Sequence, residues 1–237
     1  MSFKNKYIVV TGGTSGIGLE LVRSLVSNNH VIIISKKGTL PNDLLSKEHS
    51  IQLYHANLAN KEEIESVFNK IQNRHNKIDV LINNAAIQCT PEFLSDDFNY
   101  DAIQTEIDVN FTAICHLTYL FLPTLLAAQS GQIININSGL AIAPKQGSAI
   151  YCATKSALDS FSKSLSYQLE KTSVDVRQIF LPLVDTAMTE GRGSGKLQAD
   201  YVAKRIISGA NDIGKVPLLR LINYIAPPLA RRIMKRK

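Results

Sequence analysis

The sequence lacks the features that mark several common protein classes. Its three cysteines, Cys89, Cys115 and Cys152, are far apart and form no CxxC pair, and its five histidines show no metal-ligand spacing. No stretch approaches the roughly 18 consecutive apolar residues of a transmembrane helix, and the apolar run near the N-terminus is too short for a signal peptide. We therefore expect free thiols, no bound metal, no membrane span and a cytoplasmic protein.

Acidic residues are missing from the C-terminal segment. The chain has a net charge of +6, and residues 215–237 alone carry seven positive charges. Residues 1–214 therefore carry a net charge of −1. This uneven distribution argues against nucleic-acid binding, for which basic residues across the folded domain are expected. We assign 1–214 to a single domain and 215–237 to an extension. The extension either packs on the domain with a solvated basic end or rests on an anionic membrane surface through Leu218, Leu219, Leu221, Ile222 and Ile225.

What is present is a regular alternation of strands and helices. Short apolar runs at 6–11, 30–35, 50–57, 78–82, 131–138 and 173–180 are separated by helical patterns, one of them long (about 99–129). Such alternation in a chain of 237 residues predicts one doubly wound α/β domain with a mostly parallel sheet. The glycine-rich segment 187–197 is expected to be a mobile loop.

Glycines crowd the turn between the first strand and the first helix, where residues 11–18 read TGGTSGIG. Glycine lets a backbone turn tightly and approach a pyrophosphate, and the helix N-terminus supplies free N–H groups and a positive dipole end. The predicted phosphate-binding residues are Gly12, Thr14, Ser15, Gly16, Ile17 and Gly18. A plain strand-to-helix turn is the alternative, although such a turn rarely needs four glycines.

Three later strand ends complete the predicted dinucleotide site. The second strand ends in Ser35-Lys36-Lys37 without a carboxylate, which favours the 2′-phosphate of NADP(H) over the ribose of NAD(H), unless these lysines are merely solvated. Asn57-Leu58 follows the third strand. The small residues of Asn83-Asn84-Ala85-Ala86 follow the fourth strand and let the backbone approach a bound ligand.

Tyr151 and Lys155 lie four residues apart, so a helix places both on one face. A nearby ammonium favours the phenolate, and a tyrosine of lowered pKa can exchange a proton with a carbonyl or alcohol oxygen. The hydroxyl of Ser138, at the end of an apolar strand, could bind the same oxygen. The alternative is a chance pair, with a packed tyrosine and a solvated lysine.

The sequence resembles the short-chain dehydrogenase/reductase family in six features, which occur in the family's order. They are TGGTSGIG at 11–18, NNAA at 83–86, Asn110 within the long helix, Ser138, Tyr151-x-x-x-Lys155 and the 182–186 segment. The resemblance implies a Rossmann-like three-layer sandwich with seven, possibly six, mainly parallel strands. It also implies that Tyr151 is the general acid/base, that Lys155 lowers its pKa and binds the nicotinamide ribose, that Ser138 orients the substrate, and that Asn110 holds a water linked to Lys155. Pro182, Val184 and Thr186 would line the nicotinamide side.

The implied activity is hydride transfer between NADP(H) and a small carbonyl or alcohol substrate, in a homodimer or homotetramer packed through helices near 99–129 and 148–171. A protein of the same fold that binds NADP but has lost catalysis is the alternative. Three residues depart from the family pattern: Ala86 replaces a glycine, Asn57 an aspartate, and Leu183 a glycine. Because leucine does not adopt glycine conformations at low cost, the loop on the nicotinamide side is expected to be arranged differently, which affects the substrate pocket more than the cofactor site.

Overall fold

The computed structural model describes residues 3–235, apart from the side chain of Glu48. Its strands are β1 (Tyr7–Thr11), β2 (His30–Ser35), β3 (Ile51–His55), β4 (Val80–Asn83), β5 (Gly131–Ser138) and β6 (Val174–Leu181). All adjacent pairs are parallel, and the spatial order is β3-β2-β1-β4-β5-β6. The order reverses between β1 and β4, which is where a doubly wound sheet opens a crevice at the carboxyl ends of its strands.

Helices cover both faces of the sheet and form the outer layers. The helices are α1 (Gly16–Leu25), α2 (Asn42–Leu45), α3 (Lys61–Gln72), α4 (Tyr100–Ile107), α5 (Ala113–Leu126), α6 (Ala149–Leu169), α7 (Ala199–Ile207), α8 (Val216–Ile225) and α9 (Pro227–Met234). Successive side chains of β1 point to opposite faces. Ile8 and Val10 pack with α1 and α7, whereas Val9 packs with α3, α5 and α6. This confirms the predicted three-layer α/β fold.

Within the described residues the sheet has six strands, the smaller of the two predicted numbers. After α7 the chain runs beside β6 for a single bridge, in which Phe180 N donates to Asn211 O (2.7 Å) and Ile213 N donates to Phe180 O (3.1 Å). It then turns into α8 instead of extending as a seventh strand. Two further strands, β7 (Val184–Asp185) and β8 (Leu197–Gln198), pair only with each other.

The predicted long helix is one continuous stretch, Tyr100–Leu126, with a π-helical segment at Asp108–Thr112 between α4 and α5. By length and composition this stretch could cross a membrane, but half of its apolar window is buried within the fold. Leu117, Phe121 and Leu125 lie in the core beside α3. The stretch therefore serves as a core helix of the sandwich, and its composition is weak evidence for a span.

The C-terminal extension contacts the domain through one side of α8. Val216 is buried, Asn223 Nδ2 donates to Ile142 O (3.1 Å), and Arg220 forms an ion pair with Asp212 (2.7 Å) while lying over the Phe180 ring. These contacts fix the orientation of α8 next to the carboxyl end of the sheet.

Candidate active site

The glycine turn between β1 and α1 has no room for side chains. Gly12 and Gly16 have φ values of +67° and +51°, which favour glycine. A Cβ on Gly18 would lie 2.1 Å from Gly12 O and 2.5 Å from Asn84 Nδ2. The first turn of α1 contains no acidic residue, and the Ser15 side chain makes no capping bond. The unpaired N–H groups of α1 therefore point at a cradle suited to an anionic group.

The end of β2 is held against this turn by hydroxyl groups. Thr14 Oγ1 and Ser35 Oγ lie 2.8 Å apart, and each donates to Lys37 O (3.0 and 2.9 Å). This arrangement leaves Lys36 lining the cavity described below, whereas Lys37 and Thr14 do not line it. Of the two predicted phosphate-binding lysines, only Lys36 is therefore placed at the site.

Thr11, which is not among the predicted site residues, supports the small-residue turn after β4. Its Oγ1 accepts hydrogen bonds from Asn84 N (3.0 Å) and Ala85 N (3.0 Å). Asn84 Nδ2 in turn donates to Thr11 O (2.9 Å). A threonine directly before the first glycine of a phosphate turn was the available signal. The bonds fix the turn where β1 and β4 diverge.

Ser138, Tyr151 and Lys155 meet across β5 and α6. Lys155 is buried, and its Nζ donates to Ile136 O (3.0 Å) and lies 5.7 Å from the centroid of the Tyr151 ring. Ser138, at the carboxyl end of β5, shares a hydrogen bond with Tyr151 and also accepts one from Leu140 N (3.1 Å). The helix spacing and the strand end thus bring these three side chains together.

The protonation of this pair differs from the expectation. Burial raises the pKa of the Tyr151 phenol to about 12, and the hydrogen bond with Ser138 lowers it by a smaller amount. Burial also lowers the pKa of Lys155 to about 8. The predicted lowering of the Tyr151 pKa is therefore wrong here, because lost hydration dominates and the Lys155 ammonium donates to a backbone carbonyl. Since the phenol borders the cavity, what fills the cavity sets the final value.

Asn110 lies in the π-helical segment, fully buried. Its Oδ1 accepts from Ile87 N (2.8 Å), and its Nδ2 donates to Ile87 O (2.8 Å) and to Thr154 Oγ1 (3.3 Å). This amide therefore ties the segment after β4 to α6, one residue before Lys155. A π-bulge at a functional site is a common device, and it explains the polar residue inside the helix. The water link to Lys155 stays a prediction.

One cavity of about 690 Å³ joins these parts. Most of the predicted site residues line it: Gly12, Ser15, Gly16, Ile17, Gly18, Ser35, Lys36, Asn57, Leu58, Asn84, Ala85, Ala86, Ser138, Tyr151, Lys155, Pro182, Val184 and Thr186. Asn110, behind the wall, does not. Among the described residues that line the cavity there are four lysines (Lys36, Lys145, Lys155 and Lys215) and no Asp or Glu. The cavity therefore offers a cationic surface to an anionic ligand.

The three departures from the family pattern are accommodated without strain. Leu183 lines the cavity, and within residues 3–235 Asn5 alone among non-glycine residues has a positive φ. Leu183 therefore occupies an ordinary backbone conformation. Its side chain instead fills space beside Gly193, where an added Cβ would lie 2.7 Å from Leu183 Cδ2. Asn57 and Ala86 remain at the cavity wall.

Two side-chain contacts of Gln88, which lines the cavity, could not be predicted from the sequence. Arg192, in the glycine-rich loop, donates to the Gln88 side chain, and Gln88 Nε2 donates to Ser148 Oγ (2.6 Å). Nearby, the buried Glu106 Oε2 accepts from Cys89 N (3.0 Å) and the hydroxyl and backbone of Thr90. Because these partners are separated by up to 104 residues, only the fold brings them together.

A family model described as short chain dehydrogenase matches residues 6–196. The chain belongs to this family. A relative from Bacillus subtilis, named uncharacterized oxidoreductase DltE, is 34% identical over 191 residues, covering 80% of this chain and 76% of the relative. The matched family segment ends before α7, so α8 and α9 lie outside it.

Solved structures share the fold of this short chain dehydrogenase. A short chain dehydrogenase from Burkholderia cenocepacia in complex with NADP has a TM-score of 0.87 at 19% identity, covering all of both chains. A 3-ketoacyl-(acyl-carrier-protein) reductase from Brucella melitensis complexed with NADH has a TM-score of 0.78 at 20% identity, covering 90% of this chain and 98% of that chain. The second structure was solved with NADH, so the fold by itself does not choose the dinucleotide.

Proposed function

We propose that this short chain dehydrogenase is an NADP(H)-dependent oxidoreductase that interconverts a carbonyl and an alcohol. The observation that carries the proposal is the single cavity that joins the glycine cradle at Gly18 to Ser138, Tyr151 and Lys155. Neither half would suffice alone, because a phosphate cradle binds nucleotides without reaction and a tyrosine needs a reacting partner beside it.

The residues present fit a phosphorylated dinucleotide. A Cβ at Gly18 would clash with Gly12 O, so only glycine lets the turn close as it does, and the open N-terminus of α1 faces the cradle. At the end of β2, Lys36 and Ser35 stand where a carboxylate would favour the ribose of NAD, which supports NADP(H). The cationic lining described above suits the additional phosphate. When bound, the nicotinamide supplies or accepts the hydride.

The side chains of the chain itself handle the proton and the substrate oxygen. In the direction of reduction, Tyr151 donates its phenolic proton to the substrate oxygen, and the Ser138 hydroxyl hydrogen-bonds the same oxygen. A pKa raised to about 12 by burial keeps this phenol protonated at neutral pH, which favours the acid role. The reverse oxidation requires the phenolate and is expected to be faster at alkaline pH.

The apolar residues that form the wall of the substrate site favour an apolar carbonyl compound as the substrate. The wall includes Leu140, Leu183, Met188, Val216 and Leu219, of which Val216 and Leu219 lie outside the matched family segment. Two of them belong to α8, so the C-terminal extension contributes to substrate choice. Burial of an apolar substrate body against this wall would supply the binding energy that positions its carbonyl.

Tyr151→Phe tests the proposal. It removes the proton donor but keeps the ring, so we expect loss of at least about 100-fold in turnover with an unchanged thermal shift on adding NADPH. A panel of apolar ketones and aldehydes, followed by NADPH absorbance, gives the rate. Retention of most of the activity would refute the role of Tyr151. NADPH binding without turnover of any compound by the wild type would favour the alternative of a binding protein that has lost catalysis.

A further inference from the structure

The outer side of α8 and α9 carries apolar side chains that are exposed. Tyr224 is 87% exposed and Ile225 68% exposed. The other exposed apolar residues of this surface, which we call the C-terminal face, are Leu218, Leu221, Leu229 and Ile233. A contiguous exposed set of this size on two short helices marks an interaction surface rather than scattered surface residues.

The C-terminal face is amphipathic along both helices. In α8, Leu218, Leu221 and Ile225 recur at the spacing of one helix side, while Val216 on the other side is buried against the domain. In α9, Leu229 and Ile233 lie one turn apart. The helices have 10 and 8 residues, well short of the roughly 20 needed to span a bilayer. They are therefore suited to lie along a surface, not to cross it.

Basic residues lie next to the C-terminal face, and no acidic residue of the extension neutralises their charge. Arg231, Arg232 and Lys235 are exposed, and none of the ion pairs within the described part of the chain involves them. Residues 215–237 contain no Asp or Glu. Arg220, in contrast, is paired with Asp212 and holds α8 to the domain. The free cations thus lie at the end of the apolar strip, as in helices that bind anionic lipid surfaces.

A second copy of the chain fits this face poorly. In a twofold dimer the same patch meets itself, so Arg231, Arg232 and Lys235 would approach their own copies without an acidic residue from the extension to offset them. An anionic bilayer offers the opposite charge together with an apolar layer for Tyr224 and Ile225. We propose that the C-terminal face binds the surface of anionic membranes peripherally, with α8 and α9 lying in the headgroup region.

The test is co-sedimentation of the full-length protein with vesicles of phosphatidylcholine, with and without phosphatidylglycerol. We expect binding to the anionic vesicles at low salt, little binding to the neutral ones, and release at high salt. Arg231→Gln/Arg232→Gln should weaken partitioning about 25-fold, since each surface cation is worth about fivefold. Tyr224→Ser/Ile225→Ser should weaken it by about tenfold or more through lost apolar burial.

Matched controls lie on other surfaces of the protein. Lys70→Gln/Arg74→Gln removes two exposed cations near the end of α3, and Leu94→Ser/Tyr100→Ser removes two exposed apolar side chains. Both should bind vesicles like the wild type, with melting temperatures unchanged in all four variants. Equal loss in a control and its counterpart, or no binding of the wild type to anionic vesicles, would overturn the proposal. So would a lipid-independent dimer that Tyr224→Ser/Ile225→Ser converts to a monomer, since the occupant would then be a second copy.

Discussion

Replacing Lys155 by Met should change how the stability of the protein depends on pH. Burial lowers the pKa of this lysine from its ordinary value of 10.5 to about 8. Between those two values the unfolded chain binds a proton that the folded chain does not. The free energy of unfolding of the wild type therefore rises with pH across this window, and the penalty for burying the charge is complete only below the folded-state pKa.

The size of the effect follows from the interval between the two pKa values. An interval of about 2.5 pH units corresponds to about 3 kcal/mol in total, of which about 2 kcal/mol is recovered between pH 7 and pH 9.5. Lys155→Met abolishes this component and keeps a side chain of similar length. The variant also loses the hydrogen bond to Ile136 O (3.0 Å), but that loss adds an offset nearly independent of pH.

The assay is urea unfolding of the wild type and the variant at several pH values from neutral to mildly alkaline. Subtracting the two curves removes the titrations that both proteins share, so the difference should shift by about 2 kcal/mol in favour of the wild type as pH rises. Lys163→Met, an exposed lysine on the same helix, controls for the loss of a lysine. Parallel wild-type and Lys155→Met profiles would refute the reasoning and show that Lys155 is hydrated in the cavity.

Two further predictions concern the dinucleotide site. Gly18→Ala places a Cβ 2.1 Å from Gly12 O, so the turn must shift. We expect the variant to be destabilised by about 1–3 kcal/mol and to show no thermal shift on adding NADPH. A variant that binds NADPH normally would contradict this prediction. Lys36→Glu should raise the Kd for NADPH about 10- to 100-fold, as expected for a lost charged hydrogen bond, with little effect on NADH. Lys37→Glu is the matched control, because Lys37 does not line the cavity. Titration followed by fluorescence gives the Kd values for NADPH and NADH.

Local patterns were sufficient for the fold because each reports a nearby physical requirement. The β-branched runs in β1 and β2 are buried on both faces of a parallel sheet, so they read as continuous apolar segments. The helix period of α6 placed Tyr151 and Lys155 on one side. The strand count was less certain from sequence, because residues 209–214 form a backbone bridge to β6 only at Phe180 and no local pattern distinguishes one bridge from a strand.

The pKa of Tyr151 shows why the chemistry of a site is harder to predict than its location. The spacing to Lys155 suggested a lowered pKa, but the value depends on hydration and on where the ammonium donates its hydrogen bonds. Lys155 donates to Ile136 O, a partner on β5 that becomes adjacent only when the sheet forms. Helix periodicity specifies which side chains share a face and carries no information on the solvent around them.

The sequence by itself determined the order of strands and helices, the glycine cradle, the absence of a carboxylate after β2 and the side chains available for proton transfer, because these depend on neighbours within a few residues. Tertiary structure alone decided that one cavity joins the cradle to Ser138, Tyr151 and Lys155. It also decided that Arg192 contacts Gln88 at the cavity wall and that one side of α8 is buried while the other is exposed. These features are contacts between distant parts of the chain, and they exist only once burial of the two apolar layers has fixed the sheet.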